Sequence, residues 1–330
     1  QVRGAYATGK TKSYNFRIGQ LLAFQRMIQS EEKNIIEALG KDLGRGKFES
    51  VGLEILGLLT ETENAIQNLK SWMEPTSTKV PAMMAPCTSE IVHEPYGVAL
   101  VIGAFNYPIM LTLSPFLGAV MAGNCAIIKP SEIALACEKL LVKMIPQYMD
   151  IECYKVVVGG IPTNQTLLSM KWDKIFFTGS IRVGKIVAAA AAVNLTPCSL
   201  ELGGKSPVVI DETVTDLQLA VQRIMWGKFA NAGQTCIAPD YILCHEKHYD
   251  QFLDMAVATV KKFYGDDPKA SPDFCRIITK MHTERLDVMV KDDPGRIILG
   301  GTVDVDNKYV EPTLVAGMVK CRVHQCIWVD

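Results

Sequence analysis

Apolar residues at Ile18, Leu21, Leu22, Phe24 and Ile28, then at Ile35, Ile36 and Leu39, return near the helical period before Gly40 offers a C-terminal cap. A second stripe runs through Phe48, Val51, Ile55, Leu58, Leu59, Ile66, Leu69 and Trp72 and stops at Pro75. The two stripes predict a packed helical pair. Over residues 83–94 the periodicity fades, Pro86 and Ser89 interrupt it, and the alternation that closes the segment reads as a loop with an exposed strand.

From Val98 the rhythm changes. Short β-branched runs, VALVIG from Val98, CAIIKP from Cys125, KVVVGG from Lys155 and KIFFTG from Lys174, are separated by helix-like segments over 108–122 and 131–145. Continuous apolar strands alternating with helices predict a parallel sheet covered on both faces, and such sheets meet ligands beyond the carboxyl ends of their strands. Asn106 follows the first run, Lys129 closes the second and Gly179 closes the fourth. A further strand, SPVVID from Ser206, with helices over about 215–229 and 247–263, predicts a second α/β unit. The expected fold class is therefore α/β. A Rossmann-like parallel-sheet domain with the N-terminal helices and a bridging segment near 83–97 is expected over 1–202, and a second α/β domain over 203–330.

Composition narrows the function classes. The 330 residues, 48% hydrophobic and 21% charged, are enough for two buried cores. Lysine and arginine number 34 against 35 acidic residues, a net charge of -1, so no global field recruits nucleic acid or an anionic membrane. The first residues lack a signal-type apolar core, and apolar runs elsewhere break before the roughly 20 residues that span a bilayer. A cytoplasmic or similarly reducing setting is expected. The 10 cysteines are scattered, form no C-x-x-C pair and read as free thiols.

The segment FANAGQTCIAP, from Phe229 to Pro239, sets Cys236 behind a small, glycine-containing turn where its sulfur is exposable. A thiol becomes a strong nucleophile where its surroundings favour the thiolate; elsewhere it is small apolar filler. FTGSIRVG puts Gly179 at a strand end and Gly184 in the first turn of a helix, where backbone N–H groups meet phosphates. It is neither G-x-G-x-x-G nor a P-loop, because Ile186 stands where the Mg²⁺-binding hydroxyl belongs. LGGKSP around Gly204 reads as a tight turn. His245 and His248 miss the H-E-x-x-H spacing by one residue, and Cys321, His324 and Cys326 lack a fourth ligand, so no metal site is expected.

As an ordered set, GAFNYP, IIKPSE, FFTGSIRVG, LTPCSLELGGKSP and FANAGQTCIAPDY resemble the aldehyde dehydrogenase superfamily, and KWDKIFFTGS with CIAPDY look most like its class 3 branch. The resemblance implies oxidation of medium to long aliphatic or aromatic aldehydes with NAD or NADP. It implies Cys236 as nucleophile, Asn106 as oxyanion donor and Glu201 as general base, its carboxyl raised by apolar enclosure. Lys129 and Glu132 would hold the adenosine ribose, and Gly179, Ser180 and Gly184 would face the pyrophosphate. Phe105 stands where the family usually carries Trp. Family members are typically homodimers.

The resemblance fades after Val315, where AGMVKCRVHQCIWVD replaces the expected E-E-I-F-G-P segment, so a C-terminally truncated form is expected. Two alternatives to the dehydrogenase stay open: an inactive truncated form acting by association with a full-length relative, and a cofactor-free thiol esterase using Cys236 and Glu201.

Overall fold

A computed structural model describes residues 1–292, 295–317 and 327–329 of the chain. Cys321, His324 and Cys326 lie outside the described residues. The chain gathers into two compact units, one of residues 1–35 and 52–201, the other of residues 36–51 and 202–330.

In the first unit the N-terminal stripes form the helices Tyr14–Ser30 and Leu56–Met73, which pack on each other. Ser13 starts the first helix, its hydroxyl accepting the N–H of Phe16 at 3.2 Å. The expected single stripe over 18–39 is broken at Glu31, and the next helix, Glu32–Leu43, runs through Gly40 instead of ending there. Leu39 and Leu43 are both fully buried, so the apolar face continues one turn further. The left-handed residue beyond the helix is Gly44, at φ 60. The second stripe is interrupted by a π-turn at Val51–Ile55, leaving Phe48 73% exposed while Glu54 is fully buried.

Strands β1 (Thr76–Thr78) and β2 (Ser89–Ile91) form an exposed antiparallel pair within the irregular segment. The main sheet of the unit holds β3 (Val98–Ile102), β4 (Cys125–Lys129), β5 (Tyr154–Val156), β6 (Lys174–Gly179) and β7 (Cys198–Leu202) in the order β5-β4-β3-β6-β7. The pairs β3/β4, β3/β6 and β4/β5 are parallel. Chain order reverses between β3 and β6, which makes a crevice at their carboxyl ends. Every residue of β3 and β4 is buried, as continuous apolar runs require, and Phe116 packs edge-on against Tyr154 at 5.1 Å.

The second unit is built on a sheet of β8 (Ser206–Ile210), β9 (Pro239–Cys244), β10 (Arg296–Leu299), β13 (Leu314–Ala316) and β14 (Ile327–Val329), in the order β10-β13-β14-β9-β8. A small pair, β11 (Val303–Asp304) with β12 (Tyr309–Val310), lies beside it in sequence. Helices Leu217–Phe229 and Glu246–Tyr264 agree with expectation to within two residues, whereas Lys280–Lys291 and the strands beyond it had no clear periodic signal. Phe252, Phe274, Tyr309 and Tyr264 fill the core, with Tyr264 and Phe274 edge-on at 4.9 Å. Each such ring removed from water contributes roughly 1.5–3 kcal/mol.

Candidate active site

In the first unit, the carboxyl ends of β3, β4 and β6 carry the expected residues. The loop after β3 begins at Gly103, whose N–H donates to the carbonyl of Lys129 at 3.0 Å. A Cβ at Gly103 would collide with the Thr112 hydroxyl, so the chain needs glycine there to turn closely. Asn106 and Phe105 follow, both half-buried. Sequence reasoning missed what steadies this loop: the fully buried Glu54 accepts the N–H groups of Ile109 and Met110 at 2.9 and 2.8 Å. Those are orphan donors of the helix Met110–Met121. No capping motif signals Glu54, because it lies 55 residues away.

Lys129 ends β4, is 1% exposed and pairs with Glu132. Gly179 ends β6, where a Cβ would stand 2.6 Å from the ring of Phe177. The Ser180 hydroxyl accepts the N–H of Val183 at 3.3 Å and caps the helix Ile181–Val193, whose first turn holds the buried Gly184. Ser180 is thus committed to its helix, and the first backbone N–H groups of that helix point out of its N-terminus, where anions are favoured. Val158 and Ile161, in the segments after β5, and Ile181, after β6, are exposed apolar side chains. A cation beside a carboxylate and a helix N-terminus are groups of the kind that meet the ribose and phosphates of a dinucleotide. Glu201 lies near the end of β7 and is exposed, so the expected apolar enclosure is absent.

In the second unit, Cys236 is a half-buried free thiol. The turn before it is unusual, with Asn231, Ala232 and Gly233 all left-handed at φ 56, 51 and 76. For Ala232 this conformation costs about 1–2 kcal/mol, so surrounding contacts must impose it. They are buried and polar. The Asn231 amide N–H donates to Glu49 at 3.1 Å, its side-chain oxygen accepts from Arg45 at 2.5 Å, and its side-chain NH₂ donates to the Gln234 carbonyl at 3.2 Å. Gln234 donates to the carbonyls of Asn231 and Arg276, each at 3.0 Å, and accepts from the Ile278 N–H at 3.0 Å. The Cys275 thiol donates to Glu49 at 2.9 Å.

Burial pushes the Glu49 carboxyl up, against the pull of Cys275, Asn231 and Arg45. Burial and the nearby Glu49 push the Cys275 thiol far up, leaving it a donor with no nucleophilic part. Beyond the turn, the Cα of Gly204 faces the Cys236 carbonyl, and Lys205 pairs with the buried Asp240 at 3.0 Å. The β8/β9 pairing then fixes the chain leaving the thiol. The arrangement presents one sulfur after a turn whose buried neighbours Glu49, Arg45, Asn231 and Gln234 are engaged in hydrogen bonds. Glu49 and Arg45 had no signal of their own in the sequence, whereas Gln234 lies within FANAGQTCIAP, a motif that by itself assigns its amide no role.

Other motifs resolve simply. The His245 ring nitrogen accepts the Lys247 N–H at 3.2 Å and caps a helix. Among the described residues no three His, Cys, Asp or Glu side chains gather to hold a metal, and no helix is long and apolar enough to cross a membrane.

Comparison with known proteins gives a consistent result. The sequence profile of the Aldehyde dehydrogenase family matches residues 3–324. The dimeric NADP-preferring aldehyde dehydrogenase of Rattus norvegicus is 45% identical over 315 residues, which cover 96% of this chain and 69% of that protein. Aldehyde dehydrogenase family 3 member A2 of Mus musculus is 42% identical over 315 residues, covering 96% of this chain and 64% of that one. The substrate-bound Staphylococcus aureus AldH structure superposes with a TM-score of 0.96 at 39% identity, over 100% of this chain and 73% of that chain. The chain thus spans 64–69% of the length of these two curated relatives. With its motifs in order, its fold shared and its identity to class 3 relatives above 40%, the chain belongs to the aldehyde dehydrogenase family.

Proposed function

We propose that the chain carries the chemistry of NAD- or NADP-dependent aldehyde oxidation to carboxylic acids, with medium to long aliphatic or aromatic aldehydes as substrates. In this reading the first unit, with Lys129, Glu132, Gly179, Ser180 and Gly184, takes the dinucleotide, and the second contributes the nucleophile. The observation that carries the proposal is the left-handed Asn231–Gly233 turn, which keeps Cys236 reachable among buried, bonded groups.

The Cys236 sulfur bonds to the aldehyde carbon and the carbonyl oxygen becomes anionic. Asn106 and the N–H of Cys236 donate to that oxygen, each donor lowering the barrier by about 3 kcal/mol. A dinucleotide held by Lys129, Glu132, Gly179, Ser180 and Gly184 would supply the acceptor for the hydride that leaves that carbon. The acyl group then remains on Cys236 as a thioester. Glu201 takes a proton from water, the water oxygen attacks the thioester carbon, and Cys236 departs as thiolate. An exposed Glu201 suits this step, because it must exchange its proton with solvent in every cycle. A dimer and a reducing, cytoplasm-like setting complete the reading.

The test is NADH or NADPH formation by the purified chain with a medium-chain aldehyde. Formation that C236A abolishes supports the proposal. A folded chain that cleaves an ester but forms neither reduced dinucleotide overturns it.

A further inference from the structure

Lys129 closes β4, the second strand of the first βαβ unit, and the carboxyl end of that strand is where dinucleotide folds read the adenosine ribose. A carboxylate there accepts the ribose 2'-hydroxyl, whereas a cation accommodates a 2'-phosphate. This chain has both, because Lys129 pairs with Glu132. One turn into the next helix, Leu135–Tyr148, it adds Glu138.

Glu138 is 8% exposed, and its Oε2 has no hydrogen-bond partner. The N–H of Gly159, in the loop after β5, reaches the carboxylate, and Lys129 and Glu132 both lie within range of its charge. Burial pushes its carboxyl up, Lys129 draws it down and Glu132 pushes it up again. A carboxylate in a first helical turn is favoured by the helix dipole, but that effect needs no burial. Burying one with an oxygen unpaired is costly. Glu138 therefore places, at a cost in stability, a second carboxyl within electrostatic range of Lys129, beside that of Glu132.

We propose that Glu138 sets the cofactor choice, offsetting Lys129 so that the site favours NAD over the 2'-phosphate of NADP. The inference rests on the dinucleotide reading above. It sets this chain apart from the rat relative named as NADP-preferring.

Direct titration of the purified chain with NADH and with NADPH, followed by nucleotide fluorescence at low salt, tests it without turnover. NADH is expected to bind more tightly than NADPH. E138Q and E138A are expected to move the NADPH-to-NADH affinity ratio toward NADPH by roughly tenfold, the size of one charge acting over several Å at an effective dielectric near 20. E138D, which keeps the charge, should retain the original ratio. NADPH binding as tightly as NADH in the unaltered chain overturns the proposal, whatever the variants do. So does an unchanged ratio in E138Q or E138A. Binding of neither nucleotide overturns the dinucleotide reading itself and the inference with it.

Discussion

The carboxylate of Glu49 accepts the backbone N–H of Asn231 at 3.1 Å, joining the segment of residues 36–51 to the turn that presents Cys236. The same oxygen accepts the Cys275 thiol at 2.9 Å. Deleting it orphans two buried donors and removes the carboxylate that interacts electrostatically with Arg45. E49A is expected to lower unfolding free energy by about 2–4 kcal/mol and to slow alkylation of Cys236 as Ala232 relaxes from its left-handed conformation. E49Q, which keeps an acceptor, should lose less on both counts. Denaturant melts and the mass-resolved rate of iodoacetamide labelling measure this, and an unchanged labelling rate in folded E49A would refute it.

The same carboxylate predicts a pH dependence. Burial raises the folded-state pKa of Glu49, so the folded chain keeps its proton over a range where the unfolded chain has released it. Its contribution therefore falls as pH rises from the ordinary glutamate value through the raised one. Cys275, Arg45 and Asp273 face it throughout and shape the width of that window. In E49Q the loss is absent, so the difference in stability between E49Q and the unaltered chain should shift in favour of E49Q as pH rises. Melts between pH 4 and 8 read the slope directly.

At the oxyanion, N106A removes one donor of the proposed pair and is expected to lower kcat by roughly 10²–10³. N106D should be at least as poor, since it sets a negative charge where one develops. Cofactor affinity should stay within about twofold, because the donor acts on the transition state and not on the bound dinucleotide. A fall in dinucleotide binding equal to the fall in kcat would instead mark Asn106 as a cofactor contact.

Gly179 tests the fit at the end of β6. A Cβ there would stand 2.6 Å from the Phe177 ring, which is buried, so G179A must displace either the ring or the strand end. A loss of about 1–3 kcal/mol is expected. F177L, which trims the ring, should restore part of that loss in the double variant. Additive losses in the thermodynamic cycle would show that the two positions do not meet.

The parallel sheet and its strand-end residues were legible because β3 and β4 are buried on both faces and read as continuous apolar runs, with Lys129 and Gly179 closing their strands and Asn106 in the loop after β3. The N-terminal helices were legible as periodicity but not in their boundaries. Gly40 reads as a cap, yet Leu43 carries the buried face one turn beyond it. Glu49, Glu54 and Arg45 were illegible for a different reason. Isolated charges on an apparently amphipathic stretch predict solvent, and only the tertiary fold brings to them the N–H groups, thiol and amide they bind. Exposure of Glu201 likewise depends on what packs around β7, which its own segment does not encode.

The last described strand makes a prediction from backbone alone. β14 lies between β13 and β9 and is parallel to both, with Trp328 opposite Val315 on one side and Tyr241 on the other. Position 328 is thus interior to the sheet that leads out of the Cys236 turn. Proline there removes an N–H and fixes φ, which interior strands do not tolerate. W328P is expected to lower stability by about 3 kcal/mol or more. It should also raise amide exchange at Tyr241, Ile242 and Val315, while amides of β3 and β4 in the other unit keep their protection. Protection at β9 and β13 unchanged in W328P would mean that the sheet closes without this strand, and that Cys236 is held by the Glu49 network alone.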